Sequence, residues 1–161
     1  MCSMSIKNQS NSQFPEGRDL TLIATGGIVQ EALIAAEELH VLGIDCRVVS
    51  MHTLNPIDIE MIKACAQETA GIITIEEHTV VGGLGGAVAE ACLETRCSPN
   101  FFFRVGLRGG FSSVVGSQSY LRRVYHMDAS AIVEKVMALY ARNMTSHKRT
   151  IREQSYEALD A

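Results

Sequence analysis

The sequence predicts an α/β protein, a three-layer α/β/α sandwich built around a mostly parallel sheet. Three observations carry that prediction. Short apolar runs of strand length alternate with segments of helical periodicity, the order that yields parallel strands joined by crossover helices. Glycines punctuate the ends of the first and third runs, where a strand of such a sheet turns into its helix. At 161 residues, with 47% hydrophobic and 20% charged residues, the chain has the size and composition of one domain with a real core.

The elements follow in order. Residues 1–18 are polar and rich in Ser, Asn and Gln, which predicts a flexible leader. DLTLIAT (19–25) reads as the first strand, broken by Gly26-Gly27. The following IVQEALIAAEELHVLG has apolar residues at 29, 32, 33 and 36, the spacing of one helix face, and Gly43 stands where a C′ glycine ends a helix. CRVVSMH (46–52) is the second strand; Asn55 or Asp58 then caps a helix running to about Gln67. GIITIEE (71–77) is the third strand, and the helix after its glycines has the stripe Leu84, Ala87, Val88, Ala91, Cys92. Phe101 to Val105 forms the fourth strand, Gly106 to Gly116 a loop, and Ser117–Tyr125 a short helix. Asp128 caps a last helix with the stripe Ile132, Val133, Val136, Met137 and Tyr140. The domain thus spans 19–142, without internal repeat, and 143–161 is a polar tail that orders on a partner if at all.

Composition narrows the function. A net charge of −4 argues against nucleic acid as the main partner, since phosphate backbones need concentrated Lys and Arg. No apolar run approaches the length of a membrane span, and the start lacks the apolar core of a secretory signal, so a cytoplasmic protein is expected. The five cysteines form no C-x-x-C pair and no zinc-site spacing; Cys46, Cys65 and Cys92 fall in apolar periodic segments and read as reduced core residues.

The stretch EEHTVVGGLGGAVAE (76–90) has the parts of a phosphate cradle beside an acid/base pair. Its parts fail one by one. A dinucleotide fingerprint begun at Gly83 and Gly85 meets Val88 where a small residue must lie, and no Lys follows the glycines as a P-loop requires. Glu76, Glu77 and His78 are consecutive at a strand end, so neighbouring side chains point to opposite faces and do not converge on a metal. A nucleophile elbow is absent, because Gly116-Ser117-Gln118-Ser119 lacks the closing glycine. Read from residues alone, the chain shows a fold and no self-contained catalytic or metal site. Glu77, His78, Gly82, Gly83, Gly85 and Gly86 remain as an interface or an anion-binding loop.

The motifs also carry a resemblance. DLTLIATGGIVQEAL, CRVVSMHTLNPID and GIITIEEHTVVGGLGGAVAE, in that order and spacing, resemble the C-terminal domain of transketolase-type thiamine diphosphate enzymes. The closing RVGLRGGFSSVVGSQSYLRRVYHMDASAIVEKV is similar to the end of the same domain, so the resemblance covers roughly 19–140. It implies a five-stranded sheet with helices on both faces and one antiparallel edge strand. It also implies that thiamine diphosphate and Mg²⁺ are bound by partner domains, none by this chain alone, and that the strand-end loops face those domains or a dimer mate. One departure stands out: where the family reads G-L-P-D-x-F, this chain has Gly106-Leu107-Arg108-Gly109-Gly110-Phe111.

The leading expectation is therefore the C-terminal subunit of a split transketolase-like enzyme, with MCSMSIKNQSNSQF as its own N-terminus. Such a subunit is non-catalytic alone and contributes, in an oligomer with subunits carrying the diphosphate- and pyrimidine-binding domains, to ketol transfer between sugar phosphates. One alternative is a stand-alone binding or regulatory module with an anion at the glycine loop. Others are a subunit of a 2-oxo acid dehydrogenase E1 or a deoxyxylulose phosphate synthase-like enzyme, and a small enzyme using Glu77 and His78.

Overall fold

The computed structural model describes residues 17–109 and 113–142. The expected tail, and all of the expected leader except its last two residues, lie outside them. Four strands, β1 (Leu20–Ala24), β2 (Cys46–Ser50), β3 (Gly71–Thr79) and β4 (Phe101–Leu107), form one sheet in the order β2-β1-β3-β4. Every neighbouring pair is parallel. A 3₁₀ turn at Gly26–Ile28 leads into α1 (Val29–Val41); α2 (Ile59–Glu68), α3 (Leu84–Glu94) and α4 (Gln118–Val124) follow, and a fifth helix, α5, occupies 129–142.

Strand periodicity sorts the core onto two faces. Leu20, Leu22 and Ala24 of β1, Cys46 and Val48 of β2, and Ile73 and Ile75 of β3 pack with Ala32, Ala35, Ala36 and Leu39 of α1 and Ile132 and Val136 of α5. The alternate residues, Ile23, Val49 and Ile72, pack on Ile62 and Cys65 of α2 and Leu84, Val88 and Cys92 of α3. Alanines on α1 let that helix lie close to the sheet, and each large side chain buried on either face contributes about 1.5–3 kcal/mol. Helices on both faces give the expected three-layer sandwich. Met137, placed by the sequence on the buried stripe of the last helix, is instead 38% exposed.

Local chemistry explains the boundaries. Gly43, at φ 83°, ends α1: its N–H donates to His40 O at 3.0 Å, and Ile44 N–H donates to Leu39 O at 2.9 Å, the paired bonds of a Schellman stop. Of the two candidate caps for α2, Asp58 takes the role, accepting from Met61 N–H at 3.0 Å. Cys46 and Cys65 are buried free thiols, and burial pushes the Cys46 thiol up to about 12, so it stays protonated.

Two expectations are corrected. The sheet has four strands among the described residues, not five, and no antiparallel edge strand. Past Leu107 the chain leaves the sheet through Gly109 at φ 75°, no strand forms in 113–117, where Val115 is 93% exposed, and α4 follows directly. The second correction is that β4 runs through Gly106 to Leu107, into the expected loop. A register shift after Ile75 lets Thr79 pair with Leu107, and a Cβ on residue 106 would stand 2.9 Å from Val80 Cγ1, so a glycine permits this close approach. No described helix is long and apolar enough to cross a membrane.

Candidate functional site

All four strands are parallel, so their C-termini share one edge, the edge at which open α/β sheets form their crevice. The end of β3 supplies three polar residues there. Alternation sends Glu76 to the α2/α3 face and Glu77 to the face shared by α1 and α5.

Glu76 is 2% exposed. Its Oε2 accepts from Leu84 N–H at 2.8 Å and its Oε1 from Gly85 N–H at 3.0 Å. A carboxylate of its own strand thus occupies the positive end of α3, where free N–H groups and the helix dipole favour negative charge. The glycines make this possible. Gly82 turns the chain at φ 72°. A Cβ on Gly83 would lie 1.9 Å from Glu76 Oε2, and one on Gly85 would lie 2.5 Å from Arg104 Cδ. Gly86 has open space around it. Of the glycines expected to form a ligand loop, Gly83 and Gly85 therefore serve internal packing, and Gly85 is itself buried.

Glu77 enters a different network. Its Oε1 accepts from Arg122 Nε at 2.6 Å, and Gln118 Nε2 lies 3.1 Å from both of its oxygens. Arg122 continues through Nη1 to Glu31 Oε1 at 3.1 Å, and Glu31 Oε2 accepts from Ala129 N–H at 2.9 Å. One guanidinium, its side chain 8% exposed, thereby ties α1, β3, α4 and the start of α5 together. The hydrogen bond to Glu77 is the largest cause holding Arg122 still more firmly protonated than a free arginine. Its Nη2 is buried without a hydrogen-bond partner and sits against Gly27, where a Cβ would be 3.0 Å away.

His78 is exposed, and Glu77 receives its bonds from Arg122 and Gln118, so Glu77 and His78 do not form an acid/base pair. Beside His78 the rim holds Val81, 73% exposed, and the exposed Gly82. Sequence reading overlooked Glu31, Gln118 and Arg122. The available signal was the four-residue spacing of Gln118 and Arg122, which aligns two donors on one face of α4. Among the described residues no three His, Cys, Asp or Glu side chains gather as a metal ion would require.

Fold and edge together define a class, an all-parallel α/β domain whose strand-end acids are bonded inside the chain and whose exposed rim carries His78, Val81 and Gly82. The chain belongs to the transketolase C-terminal domain family, whose model, described as "Transketolase, C-terminal domain", matches residues 12–132. It is 44% identical over 118 residues to the 6-deoxy-6-sulfo-D-fructose transketolase subunit of Clostridium sp. (strain MSTE9), covering 73% of this chain and 36% of that protein. It is 38% identical over 122 residues to a putative transketolase C-terminal section of Methanocaldococcus jannaschii, covering 76% of this chain and 37% of that one. Among solved structures it is similar to a split gene transketolase described as an inactive beta4 tetramer, at a TM-score of 0.70 and 38% identity, over 77% of this chain and 40% of the other. The chain thus spans little more than a third of the length of these two curated relatives.

Proposed function

We propose that this chain acts as the C-terminal part of a transketolase-like enzyme, and that catalysis takes place in domains outside this sequence. The observation that carries the reading is its 38–44% identity, over about three quarters of the chain, to proteins named as a transketolase subunit and a transketolase C-terminal section. The site agrees in character. Transketolases depend on thiamine diphosphate, but the carboxylates nearest the strand ends do not fit the diphosphate's metal, because Glu76 is committed to the α3 N-terminus and Glu77 to Arg122. The cofactor and its Mg²⁺ accordingly belong to partner domains. Ketol transfer between sugar phosphates is the reaction of the assembled enzyme, and this chain contributes to its assembly.

The rim around His78, Val81 and Gly82, with Glu77 behind it, is the contact surface toward those domains. The alternative of an anion at the Gly82–Gly86 loop has less support, since Glu76 already takes the N–H groups of Leu84 and Gly85.

Co-expression with a chain carrying diphosphate- and pyrimidine-binding domains, followed by size-exclusion chromatography and a ketol-transfer assay, tests the reading. The complex co-elutes and is active with thiamine diphosphate and Mg²⁺, whereas this chain alone is inactive. In the complex, His78→Ala weakens association about ten-fold, the size of one or two lost interface contacts, and leaves the melting temperature of the isolated chain unchanged. Separate elution without gain of activity overturns the reading.

A further inference from the structure

A second feature lies at the far end of α3, away from the strand-end rim, and does not depend on the function proposed above. α3 ends as α1 does. Arg96 N–H donates to Leu93 O at 3.2 Å and Cys97 N–H to Cys92 O at 3.0 Å, with Arg96 at φ 56° where α1 has Gly43. Such a stop brings its first and last residues together. In α1 these are Leu39 and Ile44, 0% and 3% exposed and members of one apolar cluster. In α3 the same two positions hold Cys92 and Cys97, both free thiols.

The geometry suits a bond between them. With ordinary bond lengths, the 3.0 Å hydrogen bond keeps the two α-carbons within about 7 Å at most. Beyond roughly that separation a disulfide cannot form without backbone movement. Both sulfurs also face α2: Cys92 packs with Ile62 and Cys65, and Cys97 Sγ accepts from Gln67 Nε2 at 3.5 Å. Burial, and then the proximity of Cys97, raises the Cys92 thiol pKa. The two differ in access, since Cys92 is 4% exposed and Cys97 is partly open to solvent. Cys65, the third cysteine on this face, is fully buried and offers a reagent no entry.

We propose that Cys92 and Cys97 form a reversible thiol–disulfide pair, a redox modification site whose oxidant is a small hydroperoxide. Cys97, as thiolate, attacks the outer peroxide oxygen; the O–O bond breaks and the other oxygen leaves, protonated, as an alcohol or water. The Cys92 sulfur then displaces hydroxide from the Cys97 sulfenic acid, and that hydroxide takes the Cys92 proton to leave as water. Two thiols lose two electrons, and the hydroperoxide gains them. A dithiol reductant reverses the bond.

Hydrogen peroxide treatment of the full chain in a Cys2→Ser background, followed by tryptic mass spectrometry without reduction, tests this. Trypsin cuts after Arg96, between the two cysteines, so the bond shows as two linked peptides. The expected yield is independent of protein concentration, as an intramolecular bond requires, and dithiothreitol separates the peptides. Cys97→Ser, at a partly exposed position, abolishes the linkage and leaves Cys92 a thiol. Cys92→Ala stops the reaction at Cys97 sulfenic acid, and dimedone captures several-fold more adduct than in the parent chain. If Cys92→Ala does not fold, the linkage mapped in the parent chain and its loss in Cys97→Ser decide. Linkage of either cysteine to Cys46 or Cys65, a bond only between chains, or no linked peptides at all overturns the proposal.

Discussion

Glu76 and Glu77 are neighbours in the chain with the same side chain, yet they do unlike work. Glu76 is 2% exposed and its partners are two backbone N–H groups at the start of one helix. Glu77 keeps a side chain 27% exposed and its partners are side chains from a helix 41 and 45 residues further along. One is a local cap, formed between a strand and the helix that directly follows it. The other is a long-range clamp whose donors reach it only when α4 docks. The pleat alone separates them, by sending successive side chains to opposite faces. A pair of acids adjacent in sequence is therefore no sign of a shared site at a strand end.

The comparison can be broken most strongly at the cap. Glu76→Ala leaves two buried helix N–H groups without an acceptor, and a destabilisation of about 3 kcal/mol is expected in urea denaturation. Glu76→Gln, which keeps one acceptor oxygen, loses about half of that. An effect below about 1 kcal/mol for the alanine variant shows that water or a shifted loop satisfies those groups.

The clamp yields less. Arg122→Met takes the guanidinium from Glu31 and Glu77, but Ala129 N–H and Gln118 still donate to them, and both retain some contact with solvent, at 16% and 27% side-chain exposure. The expected loss is about 2 kcal/mol, below the 3–5 kcal/mol of a fully buried pair. Because the clamp joins α4 and α5 to α1 and β3, hydrogen exchange in residues 118–132 accelerates more than in β1, and uniform acceleration argues against a clamp.

The smallest effect sharpens the comparison. Gly27→Ala places a Cβ 3.0 Å from Arg122 Nη2, the end of a flexible side chain, so the group yields and the net change stays under about 1 kcal/mol. Whatever its sign, that change disappears in an Arg122→Met background if Gly27 acts through the guanidinium; a double-mutant cycle measures it.

Much of this was legible in the residues. The apolar stripes of α1 and α3, the Gly43 stop and the opposite facing of Glu76 and Glu77 all follow from periods of 3.6 and 2, which are properties of the chain itself. The family was legible for the same reason: its motifs lie in strand-to-helix turns that local geometry dictates. Less legible were the ends of β3 and β4, which extend because Thr79 finds Leu107 after a register shift, a pairing between residues 28 positions apart. The Glu31–Arg122 contact, at a separation of 91, left only the spacing on α4 as a trace.

The sequence by itself determined the alternation of strands and helices, the two apolar faces and the family, because those depend on which residues recur at which interval. Only the tertiary structure decided which carboxylate meets which donor. It placed Glu76 on the amides of α3 and gave Glu77 to Arg122 and Gln118. Charges act through distance in space, and distance is set by how the layers pack.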